Sequence, residues 1–109
     1  MNITFSNNKL EKIANNDRER LAKLGKIRAN KLKQRLDDLF AAKTLEDVRY
    51  LPGRYHELIE NRKGQWACDL DQPYRLIFTP HPPIPIDIHG RFIWPEITGV
   101  EIIQIADYH

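Results

Sequence analysis

The sequence predicts an α+β fold, with helices first and then a small antiparallel sheet that one helical face covers. Two observations carry that expectation. Apolar residues recur at helical spacing as far as about residue 42, and from residue 55 the period drops to two. A third observation bounds it: 109 residues, 41% of them hydrophobic and 29% charged, suit one globular domain (residues 1–109) with a modest core.

The elements follow in order. Residues 1–5 alternate weakly and predict a short edge strand. Asn7 and Asn8 are helix-capping types, and Leu10, Ile13 and Ala14 follow at helical spacing. Asn15, Asn16 and Asp17 interrupt the pattern. A second helix is predicted over residues 18–42, with Leu21, Ala29, Leu32, Leu36, Leu39 and Phe40 on one side. Gly25 sits on that side too, where it either allows close packing or breaks the helix. Thr44 reads as the cap of a short helical turn, and Pro52-Gly53 forces a turn.

Residues 55–58, 65–70, 74–78 and 100–105 then read as strands, with Asp71-Gln72-Pro73 as a hairpin turn. Four prolines between Pro80 and Pro85 exclude a central strand or a helix there. Residues 80–98 are therefore an irregular insertion, whose Phe92 and Trp94 either cap a core edge or offer a contact surface.

The formal net charge is only +2 but is unevenly placed. Residues 1–39 carry ten Lys/Arg and five Asp/Glu, whereas residues 67–109 carry two and six. A basic first third and an acidic last third suggest two opposed surfaces. Arg28, Lys31 and Arg35 flank the apolar stripe of the long helix, with Lys23, Lys26 and Lys33 further round. Arg28, Lys31 and Arg35 are the candidates on this helix for binding an anionic partner.

Several chemistries are excluded. No run is long and apolar enough for a membrane helix, and the first residues lack the pattern of a signal peptide. The single cysteine, Cys68, allows no internal disulfide framework. These absences predict a cytoplasmic protein. His56, His81, His89 and His109 lack metal-ligand spacing, so no metal is expected. No phosphate-cradling glycine loop is present, so no nucleotide cofactor is expected.

What remains is a polar set in the sheet half: His56, Arg62, Lys63, Arg75, Tyr108 and His109. These types fit metal-free RNA cleavage. A base must take the 2′-hydroxyl proton, an acid must protonate the leaving 5′-oxygen, and cations must hold the phosphate as charge builds. Each residue also has a plain structural role open to it; Arg75, for instance, could pair with Asp69 or Glu101.

Four ordered stretches take the reading further. They are Leu51-Pro52-Gly53-Arg54-Tyr55-His56-Glu57-Leu58, Asn61-Arg62-Lys63-Gly64-Gln65-Trp66, Pro73-Tyr74-Arg75-Leu76-Ile77-Phe78 and the final Asp107-Tyr108-His109. Together they resemble the plasmid-maintenance killer toxins, the HigB-type branch of the RelE/ParE toxin superfamily. The resemblance covers about residues 45–109. It implies a RelE-like microbial ribonuclease fold, cleavage of translated messenger RNA on the ribosome, and silencing by a cognate helix-turn-helix antitoxin. By position it implies catalytic roles for His56, Lys63, Arg75, Asp107, Tyr108 and His109. His109 would be the general acid, Tyr108 would stack on a base or position the phosphate, and Arg75 and Lys63 would stabilise phosphate charge. His56 would act as base or phosphate ligand, and Arg62, with Arg28, Lys31 and Arg35 of the long helix, would contact RNA.

One position departs from the family. Ile59 stands where a lysine is common, removing a cation that Lys63 or Arg62 would have to replace. Two other readings therefore stand beside the ribonuclease: a non-enzymatic, gyrase-targeting inhibitor of the same superfamily, and a catalytically weakened module that binds RNA or antitoxin.

Overall fold

The computed structural model describes residues 1–107. Strand β1 (Asn2–Phe5) leads into helices α1 (Asn8–Asn15) and α2 (Asp17–Ala41). The sheet half supplies β2 (His56–Glu57), β3 (Trp66–Asp69), β4 (Tyr74–Pro80) and β5 (Gly99–Asp107), and short 3-10 turns cover Leu45–Tyr50, Glu60–Arg62 and Trp94–Glu96.

The asparagines punctuate the helices as their chemistry dictates. Asn7 Oδ1 accepts from the Leu10 amide at 2.9 Å, and Asn16 Oδ1 accepts from the Glu19 amide at 2.9 Å. The Asn16 amide also donates to Lys12 O, so one residue ends α1 and starts α2. Gly25 breaks α2: its φ of 77° and ψ of 166° are not helical. An added Cβ there would meet nothing within 4 Å, so close packing is not its role. The break also explains Leu21, which was expected on the apolar side and is exposed. It precedes the break, so its phase does not continue into Ala29, Leu32 and Leu39. Phe40, also expected on that side, is exposed because its neighbour Leu39 takes the core and successive helical residues point about 100° apart.

The sheet order is β1-β5-β4-β3-β2. All pairings are antiparallel except β1 with β5, which is parallel, so the expected antiparallel sheet is mixed. The reason is topological: the α1–α2 hairpin returns the chain to the sheet before β5 is laid beside β1.

Alternation along the strands divides the residues between two faces. Trp66, Cys68, Leu76, Phe78, Val100 and Ile102 join Ile13, Leu32, Leu39, Leu45, Val48 and Ile97 in the main core under the helices. Each such apolar side chain contributes roughly 1.5–3 kcal/mol on full burial. Ala67, Ile77 and Ala106 form a smaller cluster on the other face, packed by Leu58 and Ile103.

Pro80, expected outside any strand, is instead the last residue of the central strand β4, opposite Val100, because its missing amide costs little at a strand end; the insertion that follows holds one isolated bridge, Ile86 to Phe92. Trp94 meets Trp66 edge-on at 5.4 Å and Phe92 meets Trp94 at 5.1 Å, so these two aromatics cap the core edge. Among the described residues no helix is long and apolar enough to cross a membrane.

Candidate functional site

The face of the sheet away from the helices collects the polar residues. Strand register arranges them in two adjacent rows. His56 pairs with Ala67, Ala67 with Ile77 and Ile77 with Gln104. Asp69 pairs with Arg75, and Arg75 with Ala106. His56 and Arg75, more than eighteen positions apart in sequence, thus stand on one face because β2, β3 and β4 are neighbours.

The turn before β2 fixes His56. His56 Nδ1 lies 2.6 Å from Arg54 O. A carbonyl only accepts, so Nδ1 carries the proton and Nε2 of the neutral ring is the acceptor. The turn itself is built on Arg35. The Arg35 guanidinium donates from Nε to Asp69 O at 2.7 Å and from Nη1 to Pro52 O at 3.4 Å. The Asp69 amide donates to Gly53 O at 2.8 Å, which ties the turn to β3. Gly53 has φ 122°, and a Cβ there would stand 2.8 Å from the Arg35 guanidinium. Arg35 was expected at an RNA surface. It is instead buried and serves the turn, because the strand end and the turn offer carbonyls that need a donor.

Arg75 is half-buried, with Nε 3.6 Å from Asp69 Oδ1. Arg54 Nη1 lies 3.4 Å from Asp69 Oδ2. Arg62 reaches over the sheet, donating to Gln65 Oε1 at 2.9 Å and to Gln104 Oε1 at 2.8 Å. Lys63 does not join this group. It lines a cavity of about 630 Å³ beside the insertion, together with Glu57, Ile59, Glu60, Phe92 and Trp94. Ile59 is exposed there. Asp107 ends β5 opposite Tyr74, one position out of step with the Arg75–Ala106 pair. Tyr108 and His109 lie outside the described residues.

On the helical side, Arg28 donates to both carboxylate oxygens of Asp71, at 3.0 and 3.1 Å, and its guanidinium stacks 3.4 Å from the Tyr74 ring centre. Lys31 is exposed. The core below the site is inert. Burial pushes the Cys68 thiol up to about 12, and burial likewise raises the Tyr55 phenol, whose hydroxyl donates to Arg35 O at 3.3 Å.

Sequence reasoning missed Arg54, and it weighed Asp69 only as one of two possible partners for Arg75. The hairpin register was the available signal. A turn at residues 71–73 places position 69 opposite position 75.

No family model and no curated protein matches the chain. Solved structures of toxins share its fold, three of them as follows. The YoeB–YefM complex and the YoeB dimer, both from Staphylococcus aureus, are 18% and 19% identical with TM-scores of 0.58. Each alignment covers 100% of this chain and 97% of the other. The YoeB/ParE toxin from Agrobacterium tumefaciens is 12% identical, with a TM-score of 0.52 over 100% of both chains. The architecture is thus the one found in YoeB-type toxins.

Proposed function

We propose that this chain is the toxin of a type II toxin–antitoxin pair, of the HigB-type killer branch, and that it is a ribosome-dependent, metal-independent endoribonuclease acting on translated messenger RNA. The observation that carries the reading is the open sheet face, where His56, Arg75 and Arg62 share one surface at the end of β5 that leads to Tyr108 and His109. The shared fold of YoeB-type toxins agrees with it.

The chemistry follows from the residue types. A base removes the 2′-hydroxyl proton, and the 2′-oxygen attacks phosphorus. The bond to the 5′-oxygen breaks as that oxygen takes a proton from an acid. The His56 ring, oriented by Arg54 O, presents Nε2 as base when that nitrogen is unprotonated, or as a donor to the phosphate when it is protonated. His109 is the acid, while Asp107 and Tyr108 complete the terminal triplet, with Tyr108 stacking on a base. Arg75 meets the charge that develops on the phosphate, and Arg62 supplies the cation absent at Ile59. Lys63 holds a flanking phosphate from the cavity beside the insertion. In the resting cell a helix-turn-helix antitoxin would cover part of the cationic surface.

Induced expression is expected to arrest growth and leave translated messages cleaved, with new ends that sequencing maps to ribosome-covered codons. His109→Ala and Arg75→Ala are expected to abolish both effects, and loss of one charge-aimed donor typically costs roughly 10²–10³ in rate. Arrest with intact messages and damaged DNA would replace the ribonuclease with the gyrase-targeting reading.

A further inference from the structure

We propose that Arg54 and Arg75 form a two-guanidinium clamp for an RNA phosphate, and that the Asp69 carboxylate holds the place of that phosphate until RNA displaces it. The proposal rests on the RNA-directed reading above and adds Arg54 and Asp69 to the site.

Asp69 is only 9% exposed and stands between the two arginines. Its contacts are nonetheless loose. The arginine nitrogens lie 3.4 and 3.6 Å from its oxygens, and Gln72 Nε2 lies 3.5 Å away. A charge-assisted hydrogen bond spans about 2.7–2.9 Å. Asp69 Oδ1 is buried without a hydrogen bond. A carboxylate there attracts both cations at distances longer than a charge-assisted hydrogen bond. A phosphate, with its oxygens spread tetrahedrally, offers each guanidinium its own acceptor.

The clamp is built to move at its tips and hold at its base. The Arg54 side chain is 68% exposed. Its backbone, at φ 57°, sits in the turn that Arg35 and the Asp69 amide hold. The same residue's carbonyl orients His56, so a phosphate drawn to Arg54 arrives beside the imidazole. Arg75 fixes the other side, directly across β3 and β4 from Asp69. Displacement requires only that the Asp69 side chain turn away from the arginines beside the exposed Gln72.

The test uses the full chain and a short single-stranded RNA with 2′-O-methyl ribose throughout, which binds but offers no 2′-hydroxyl to react. Binding is read by fluorescence anisotropy at several KCl concentrations. Asp69→Asn is expected to bind about tenfold tighter or more, with a steeper salt dependence, because a like charge is removed from the phosphate site. Arg54→Ala is expected to bind more weakly, with a log K against log salt slope shallower by up to about 0.7. Arg54→Lys is expected to recover part of that loss, as a point charge without the planar fork. Asp69→Asn that binds no tighter at an unchanged melting temperature overturns the place-holding role. Arg54→Ala that leaves the salt slope untouched overturns the clamp, and decides alone if Asp69→Asn does not fold. Message cleavage is followed in parallel. Cleavage by the parent protein with no binding change in the variants sinks the clamp and spares the ribonuclease. Tighter binding by Asp69→Asn without any cleavage does the reverse.

Discussion

Arginine shows how far a residue's type falls short of its role. Arg20, Arg28, Arg35 and Arg75 look alike in sequence. Arg20 is buried, donating to Ala14 O at 2.8 Å and pairing with Asp17. Arg28 grips Asp71, Arg35 builds a turn, and Arg75 faces the open sheet. Periodicity put Arg35 on the flank of the apolar stripe, where long side chains usually snorkel to water. Only the tertiary position of the 52–54 turn turns it inward. Cys68 lies in β3 on the core face of the sheet with Trp66, and is fully buried. That burial has a measurable consequence with Tyr55. Both groups stay protonated in the folded protein above their ordinary values of 9.0 and 10.0, while the unfolded chain releases their protons there. The unfolded state then binds fewer protons, so stability is full below pH 9 and falls as pH rises toward about 12. The loss approaches roughly 1.4 kcal/mol per pH unit for Cys68, and about double once the phenol contributes. Urea unfolding midpoints from pH 7 to 11 read this directly. Cys68→Ala is expected to start from a lower stability but to lose less of it between pH 9 and 10. A midpoint that stays flat across that interval in the parent protein would mean that Cys68 and Tyr55 release their protons as readily folded as unfolded.

At the scale of elements, two glycines give the same substitution different costs. Gly25 and Gly53 both have positive φ, at 77° and 122°. A Cβ at Gly25 meets open space, so Gly25→Ala carries the backbone strain alone, about 1 kcal/mol. A Cβ at Gly53 collides with the Arg35 guanidinium at 2.8 Å, which must then leave Asp69 O or Pro52 O. Gly53→Ala is therefore expected to cost the strain plus a broken buried charge-assisted bond, about 3 kcal/mol or more. Chemical denaturation of the two variants checks the order, and equal losses would mean that the turn yields without moving Arg35. The elements themselves were largely readable. Asparagine caps, the 71–73 turn and the run of prolines each act locally, so sequence carries them. The parallel pairing of β1 with β5 was not readable, because no local residue records which edge a short strand joins after two helices. Gly25 had two readings, and only its dihedral angles choose between them.

At the scale of the molecule, the sheet separates two surfaces. The helices pack on one face through Ile13, Leu32 and Leu39, and the His56–Arg75 site lies on the other. The charge split in the sequence suggested a basic surface opposed to an acidic one, but Arg20 and Arg35 of the helical half are used inside and the sheet face carries Arg54, Arg62 and Arg75. Lys26 and Lys31 remain exposed on α2. A single RNA strand lying in the sheet site does not also reach the back of the helices. On the ribonuclease reading, a body of 46 × 28 × 25 Å would sit among ribosomal phosphates and meet negative charge on both sides. On that reading, the helical lysines therefore hold the protein to the ribosome while the sheet face handles the message. Replacing Lys26 and Lys31 with alanine is expected to leave stability within about 0.5 kcal/mol, since neither is buried. Ribosome association, measured by co-sedimentation at increasing KCl, is expected to weaken. The slope of log K against log salt is expected to fall by about 0.9 for each lysine on a duplex phosphate. Binding of the short 2′-O-methyl RNA to the sheet face is expected to stay within about twofold, because both lysines are on α2, which packs on the opposite face of the sheet. If ribosome association is unchanged while the short RNA binds less well, the helical face belongs to the message and the division of labour is the reverse.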